Sequence, residues 1–123
     1  MATVALTADT FEQTIQKDGI TIIDFWADWC GPCKMFAPVY ETSSDAHPDI
    51  TFAKVDTEAE QNLAAQCGIR SIPTIMMFRD GILLFNQAGA LPGHALEEII
   101  GKARELDMDQ VRAEIAEQES QGQ

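Results

Sequence analysis

Two cysteines, Cys30 and Cys33, stand two residues apart around Gly31-Pro32, and no other residues of the chain are better suited to chemistry. A Cys-X-X-Cys pair at the opening of a helix holds two thiols where an intramolecular disulfide can form and break. Cys30 falls at the predicted helix N-terminus, where unpaired backbone N–H groups and the macrodipole favour an anion. That lowers the thiol pKa, and the thiolate is the species that attacks disulfides. The chemistry implied is dithiol–disulfide exchange. The competing reading is half of a zinc site, because such pairs also ligate metal. A tetrahedral centre needs two further ligands, and the candidates Cys67, His47 and His94 form no second close-spaced pair. The exchange reading is the stronger one, with no bound metal or cofactor expected, since the electrons reside on the two sulfurs.

The elements that must position this pair can be read from periodicity. Ile20 to Trp26 is β-branched and aromatic with almost no alternation, the pattern of a parallel-sheet strand buried on both faces. A long helix is predicted from Cys30 to Ala46, bent by Pro38 and ended at His47-Pro48-Asp49. Thr3 to Leu6 is a short strand, and Thr7 or Asp9 caps a helix running to about Lys17 that Gly19 closes. Ile50 to Val55 reads as another buried strand and Glu58 to Cys67 as a crossover helix. Thr74 to Phe78 and Ile82 to Phe85 flank Asp80-Gly81, a strong hairpin signal. Gly89 and Gly93 bracket a loop, after which Leu96, Ile99, Ile100, Ala103 and Leu106 recur at helical spacing. The order implies an α/β fold with a mixed sheet and helices on both faces. Residues 107–123 are glutamate- and glutamine-rich and broken only by Met108, Val111 and Ile115. They read as a frayed helical tail, disordered at 120–123, following a compact unit over residues 1–106.

Composition narrows the function classes. A chain of 123 residues suits one compact domain. Twenty acidic residues against eight basic ones give a net charge of −12, which argues against nucleic acid or an anionic membrane as the main partner. Three cysteines do not make a disulfide-stapled secreted scaffold. The first basic residue is Lys17, so a signal peptide's charged start is missing, and no apolar run reaches the length of a membrane span. A cytoplasmic location is the expectation.

Several separated segments, in this order, carry a family resemblance: 23–27 (Ile-Asp-Phe-Trp-Ala), 29–34 (Trp-Cys-Gly-Pro-Cys-Lys), 53–56 (Ala-Lys-Val-Asp), 68–74 (Gly-Ile-Arg-Ser-Ile-Pro-Thr) and 88–90 (Ala-Gly-Ala). With these the chain resembles the thioredoxin family over about residues 3–105. The resemblance implies a thioredoxin fold, with a mixed four- to five-stranded sheet flanked by helices, and reduction of protein disulfides.

It also implies roles. Cys30 is the expected nucleophile and Cys33, more buried, the resolving thiol. Asp24 is an aspartate inside an apolar strand, where burial raises its pKa and suits it to accept the Cys33 proton. The alternative is a register that turns Asp24 outward, disfavoured because Ile23 and Phe25 cannot both lie outside a covered sheet. Lys54 matches the lysine that neighbours this carboxylate in the family. Trp29, Gly31, Pro32 and Pro73 shape the site, with Trp26 expected in the core and Trp29 exposed. Ile72-Pro73 resembles the family's cis-proline, which presents the Ile72 backbone to a substrate strand. Gly89 and Ala90 extend an apolar contact patch, although Gly89 also fits a simple turn. Cys67 reads as a small apolar filler, with a regulatory thiol as the alternative. His47 reads as a solvated cap, and His94 has no predicted partner.

Expected partners are a flavin- and NADPH-dependent thioredoxin reductase and disulfide-containing client proteins, with the chain a monomer. Two other functions compete. A disulfide oxidase or isomerase uses the same chemistry but suits other residues between the cysteines and an oxidising compartment. A binding module uses the fold without redox turnover, and Cys30/Cys33→Ser separates it from the rest.

Overall fold

The computed structural model describes residues 2–121, which form five strands and five helices. In chain order they are β1 (Thr3–Ala5), α1 (Ala8–Ile15), β2 (Ile20–Trp26), α2 (Gly31–Ala46), β3 (Thr51–Asp56), α3 (Gln61–Gln66), β4 (Thr74–Arg79), β5 (Ile82–Ala88), α4 (Gly93–Glu105) and α5 (Met108–Gln121). The sheet order is β1-β3-β2-β4-β5. β1, β3 and β2 run parallel, whereas β4 is antiparallel to β2 and β5 to β4.

The central strand β2 is buried on both faces because each face is covered by its own pair of helices. Ile20 and Ile22 pack with Phe36 and Tyr40 of α2 and with Leu96 and Ile100 of α4. Ile23 and Phe25 face the opposite layer, with Phe11 of α1 and Leu63 of α3. Period-2 alternation therefore puts Asp24 on the α2/α4 face. Tyr40 ties the two central strands from that face, its hydroxyl lying 2.7 Å from the Ala53 carbonyl and 3.0 Å from that of Ile22.

The β4–β5 turn behaves as Asp-Gly predicts. Asp80 and Gly81 have φ of 53° and 83°, the positive pair that a two-residue hairpin loop requires. Asp80 tolerates this conformation while its Oδ1 accepts the Gly19 N–H at 2.7 Å.

Four expectations need correction. The crossover helix begins at Gln61 and not at Glu58, because Asp56 Oδ1 accepts the N–H groups of Glu58 (2.9 Å) and Ala59 (3.3 Å) and folds 56–59 into a turn. β5 extends three residues past Phe85, since β4 continues to pair with it up to Thr74↔Ala88. The tail is a helix through Ser120 and Gln121, anchored by buried Met108 and by an Arg112–Asp80 ion pair of 3.8 Å. The disorder expected at Gly122 and Gln123 concerns residues outside those described. His47 is half-buried: its Nε2 lies 2.6 Å from Glu97, Arg104 approaches its Nδ1 at 3.1 Å, and its ring stacks on Phe52. It joins α2 to α4 and is not a solvated cap.

Candidate active site

Cys30 is the N-cap of α2, with extended backbone (φ −89°, ψ 109°), and Gly31 and Pro32 form the first turn. Proline is tolerated there because a first-turn N–H has no intrahelical acceptor to lose. Pro38 lies deeper in α2, yet the helix runs unbroken past it. Cys30 and Cys33 are joined by a disulfide, with their Cα atoms 5.2 Å apart.

The Cys33 backbone N–H donates to Cys30 Sγ at 3.1 Å. Helix start and sulfur thus meet where partial positive charge is concentrated, which favours a thiolate at Cys30 once the disulfide opens. Cys33 was expected to be the more buried thiol, but both residues are 3% exposed. What distinguishes them is direction, for Cys30 lines an open depression and Cys33 does not.

That depression has a volume of about 430 Å³. It is lined by Trp29, Cys30, Gly31 and Pro32, by Thr57 and Ala64, and by Ile69 to Ile72. Ile72 O lies 3.7 Å from Cys30 Sγ, and the Ile72-Pro73 peptide is cis. Pro73 is buried, and its carbonyl accepts the Gly89 N–H at 2.7 Å, which sets Gly89 and exposed Ala90 beside it. Gly89 and Ala90 do not line the depression itself. Trp29 is 69% exposed, while Trp26 is half-buried with Lys54 Nζ 4.9 Å above its ring.

Asp24 is 1% exposed, and neither carboxylate oxygen has a hydrogen-bond partner among the described residues. Burial without compensation disfavours the charged form and pushes its pKa up to about 7, against a smaller lowering by the Lys54 ammonium. Asp24 is flanked in register by Lys54 on β3 and Ile75 on β4. Cys67 is half-buried against the Ile23/Phe25 layer, and burial raises its thiol pKa. His94 is exposed.

Two side chains at this site escaped sequence reasoning. Glu58 Oε1 accepts the indole N–H of Trp29 at 2.7 Å. The pair lies 29 residues apart in the chain, and Glu58 read only as the first residue of a helix. Arg70 lines the depression, yet it entered the reading only as one letter of a matching segment. Its charge within two residues of Ile72 was the available signal.

The thioredoxin family model matches residues 2–102. A Streptomyces coelicolor protein assigned as thioredoxin 2 is 54% identical over 120 residues, covering 98% of this chain and 90% of the relative. A thioredoxin of Alicyclobacillus acidocaldarius is 43% identical over 97 residues, covering 78% of this chain and 92% of its own. Among solved structures, a thioredoxin of Malassezia sympodialis aligns with a TM-score of 0.74 at 36% identity, covering 83% of this chain and 93% of that one. The mixed sheet, the helix-capping cysteine pair and these likenesses agree, and the chain belongs to the thioredoxin family, as a thiol–disulfide oxidoreductase with protein-disulfide reductase activity.

Proposed function

We propose that Cys30 is the attacking thiol and Cys33 the resolving one. The Cys30 thiolate attacks one sulfur of a client disulfide; the client S–S bond breaks, a Cys30–client bond forms and the first client thiolate leaves. Cys33 then gives its proton to the Asp24 carboxylate and attacks Cys30 Sγ. The mixed disulfide breaks, the Cys30–Cys33 bond forms and the second client thiolate leaves, so two electrons pass from the protein's sulfurs to the client. The observation that carries this assignment is the Cys33 N–H on Cys30 Sγ at the start of α2.

Asp24 suits the proton-accepting role because a base whose pKa lies near 7 is poised at neutral pH. Lys54 is its charge partner and keeps that pKa from rising further. Trp29, Gly31, Pro32 and Pro73 shape the approach to Cys30. The backbone of Ile72, with Pro73, Gly89 and Ala90, offers the contact surface for an extended client segment. An NADPH-dependent thioredoxin reductase returns the electrons, and the chain works as a monomer in the cytoplasm. Residues 1–106 carry the exchange activity, a division favoured by the family match ending at residue 102, with 107–123 an appendage to it.

The test is reduction of insulin disulfides with dithiothreitol as electron source. Catalysis by the wild type, its loss in Cys30→Ser, and a trapped client mixed disulfide in Cys33→Ser are the expected results. Trapping through Cys33 in Cys30→Ser instead would reverse the assignment of the two thiols.

A further inference from the structure

Arg70 contributes the one charged side chain among the described residues lining the depression beside Cys30; its other walls are apolar, hydroxyl-bearing or glycine, with Cys30 among them. Arg70 is itself exposed. The chain has eight basic residues, and most are engaged. Lys54 lies over Trp26, Arg79 donates to the carbonyls of Ala103 and Leu106, and Lys102, Arg104 and Arg112 pair with carboxylates. Lys17, Lys34 and Arg70 have no carboxylate partner among the described residues. In a chain with twenty acidic residues, a guanidinium left free at the mouth of the reactive site is a notable allocation.

From this arrangement we infer that Arg70 is a specificity-determining residue, selecting client disulfides whose cysteine is flanked by an Asp or Glu side chain. The inference rests on Cys30 being the thiol that attacks the client. A guanidinium presents a planar fork of N–H donors that matches a carboxylate, so it favours this side chain over a neutral amide and repels an ammonium. The overall field acts in the opposite sense, since a net charge of −12 repels acidic clients at long range. A preference for acidic flanks is therefore a local effect, and its sign separates Arg70 from the bulk charge.

The experiment uses short peptides with one intramolecular disulfide, identical except for Glu, Gln or Lys on both sides of one cysteine. Second-order rate constants for reduction by the pre-reduced full chain are measured at low ionic strength, each divided by that peptide's rate with dithiothreitol to remove its intrinsic reactivity. The wild type should reduce the Glu peptide about two- to fivefold faster than the Gln peptide, the scale of an exposed ion pair. The Lys peptide should be slower than both. Arg70→Ala should bring the Glu-to-Gln ratio to one or below, Arg70→Glu should invert the order, and Arg70→Lys should restore part of the preference. A wild-type ratio at or below one, or a ratio that survives Arg70→Ala, overturns the inference. Reduction of all peptides without charge preference removes this inference alone. Reduction of none overturns the exchange reading and this inference with it.

Discussion

Asp24 and Lys54 are register partners on adjacent parallel strands, yet the lysine does not satisfy the carboxylate by a hydrogen bond. The Lys54 ammonium lies 4.9 Å from the centre of the Trp26 ring, and both Asp24 oxygens stay unpartnered. The lysine therefore acts on Asp24 through its field, and burial dominates the balance. A carboxyl held this way lowers stability and, in the proposed mechanism, is poised to take the Cys33 proton at neutral pH.

Stability should depend on Asp24 with a definite sign. Its folded pKa is about 7 against an ordinary value of 3.8, so between those pH values the folded chain holds a proton that the unfolded chain releases. Stability is then lost as pH rises from about 4 to about 7, and the ionised, buried carboxylate costs up to about 4 kcal/mol above that. Asp24→Ala should raise the denaturant midpoint most at pH 8 and hardly at all at pH 4. It should also slow exchange by about tenfold or more, as loss of a general base does. A gain in stability that does not change with pH would contradict the account of the buried charge.

Lys54→Met removes the positive field that lowers the Asp24 pKa. The Asp24 pKa should climb further above its wild-type value, and the pH–rate curve for exchange should move to higher pH. Activity near pH 7 should drop several-fold, and the deficit should narrow in more alkaline buffer. An unmoved pH profile would mean that Lys54 has no electrical hold on the carboxyl.

Trp29 is held over the depression by Glu58 while most of its surface faces solvent. Glu58→Ala should cost no more than about 1 kcal/mol of stability, because the bond is exposed and exchanges with water. Client reduction should nevertheless slow about two- to fivefold, with KM rising more than kcat falls, as the indole loses its fixed position. Glu58→Gln keeps an acceptor and should recover most of the rate.

Much of this was legible in residue pattern. The run Ile20–Trp26 announced a strand buried on both faces, and a lone aspartate inside it announced a charge without water. Asp80-Gly81 announced its turn because few other residues take two consecutive positive φ values. The rest depends on contacts distant in sequence. The start of α3 was misplaced because Asp56 captures two backbone N–H groups that a helix would otherwise use. Trp29 and Glu58 meet only after β2 and β3 pair. The apolar residues of α5 were visible, but which of them would be buried, Met108, was not.

The last helix offers its own check. Deleting residues 107–123 removes buried Met108 and the Arg112–Asp80 pair. Burial of one methionine is worth about 1.5–3 kcal/mol, and an exposed ion pair adds little. A truncated chain should be less stable by roughly that amount and should keep full exchange activity at 25 °C when assayed below its unfolding transition. Lost exchange in a folded truncated chain would contradict the division at residue 106.

The most direct test is the equilibrium reduction potential of Cys30–Cys33, followed by Trp26 and Trp29 fluorescence in dithiothreitol buffers. Thioredoxins as a family lie near about −270 mV. A reductant of protein disulfides should titrate at about −250 mV or below. A midpoint between about −180 and −120 mV would place the pair among disulfide-forming or isomerising proteins and contradict the account. The absence of any redox transition would contradict it more completely.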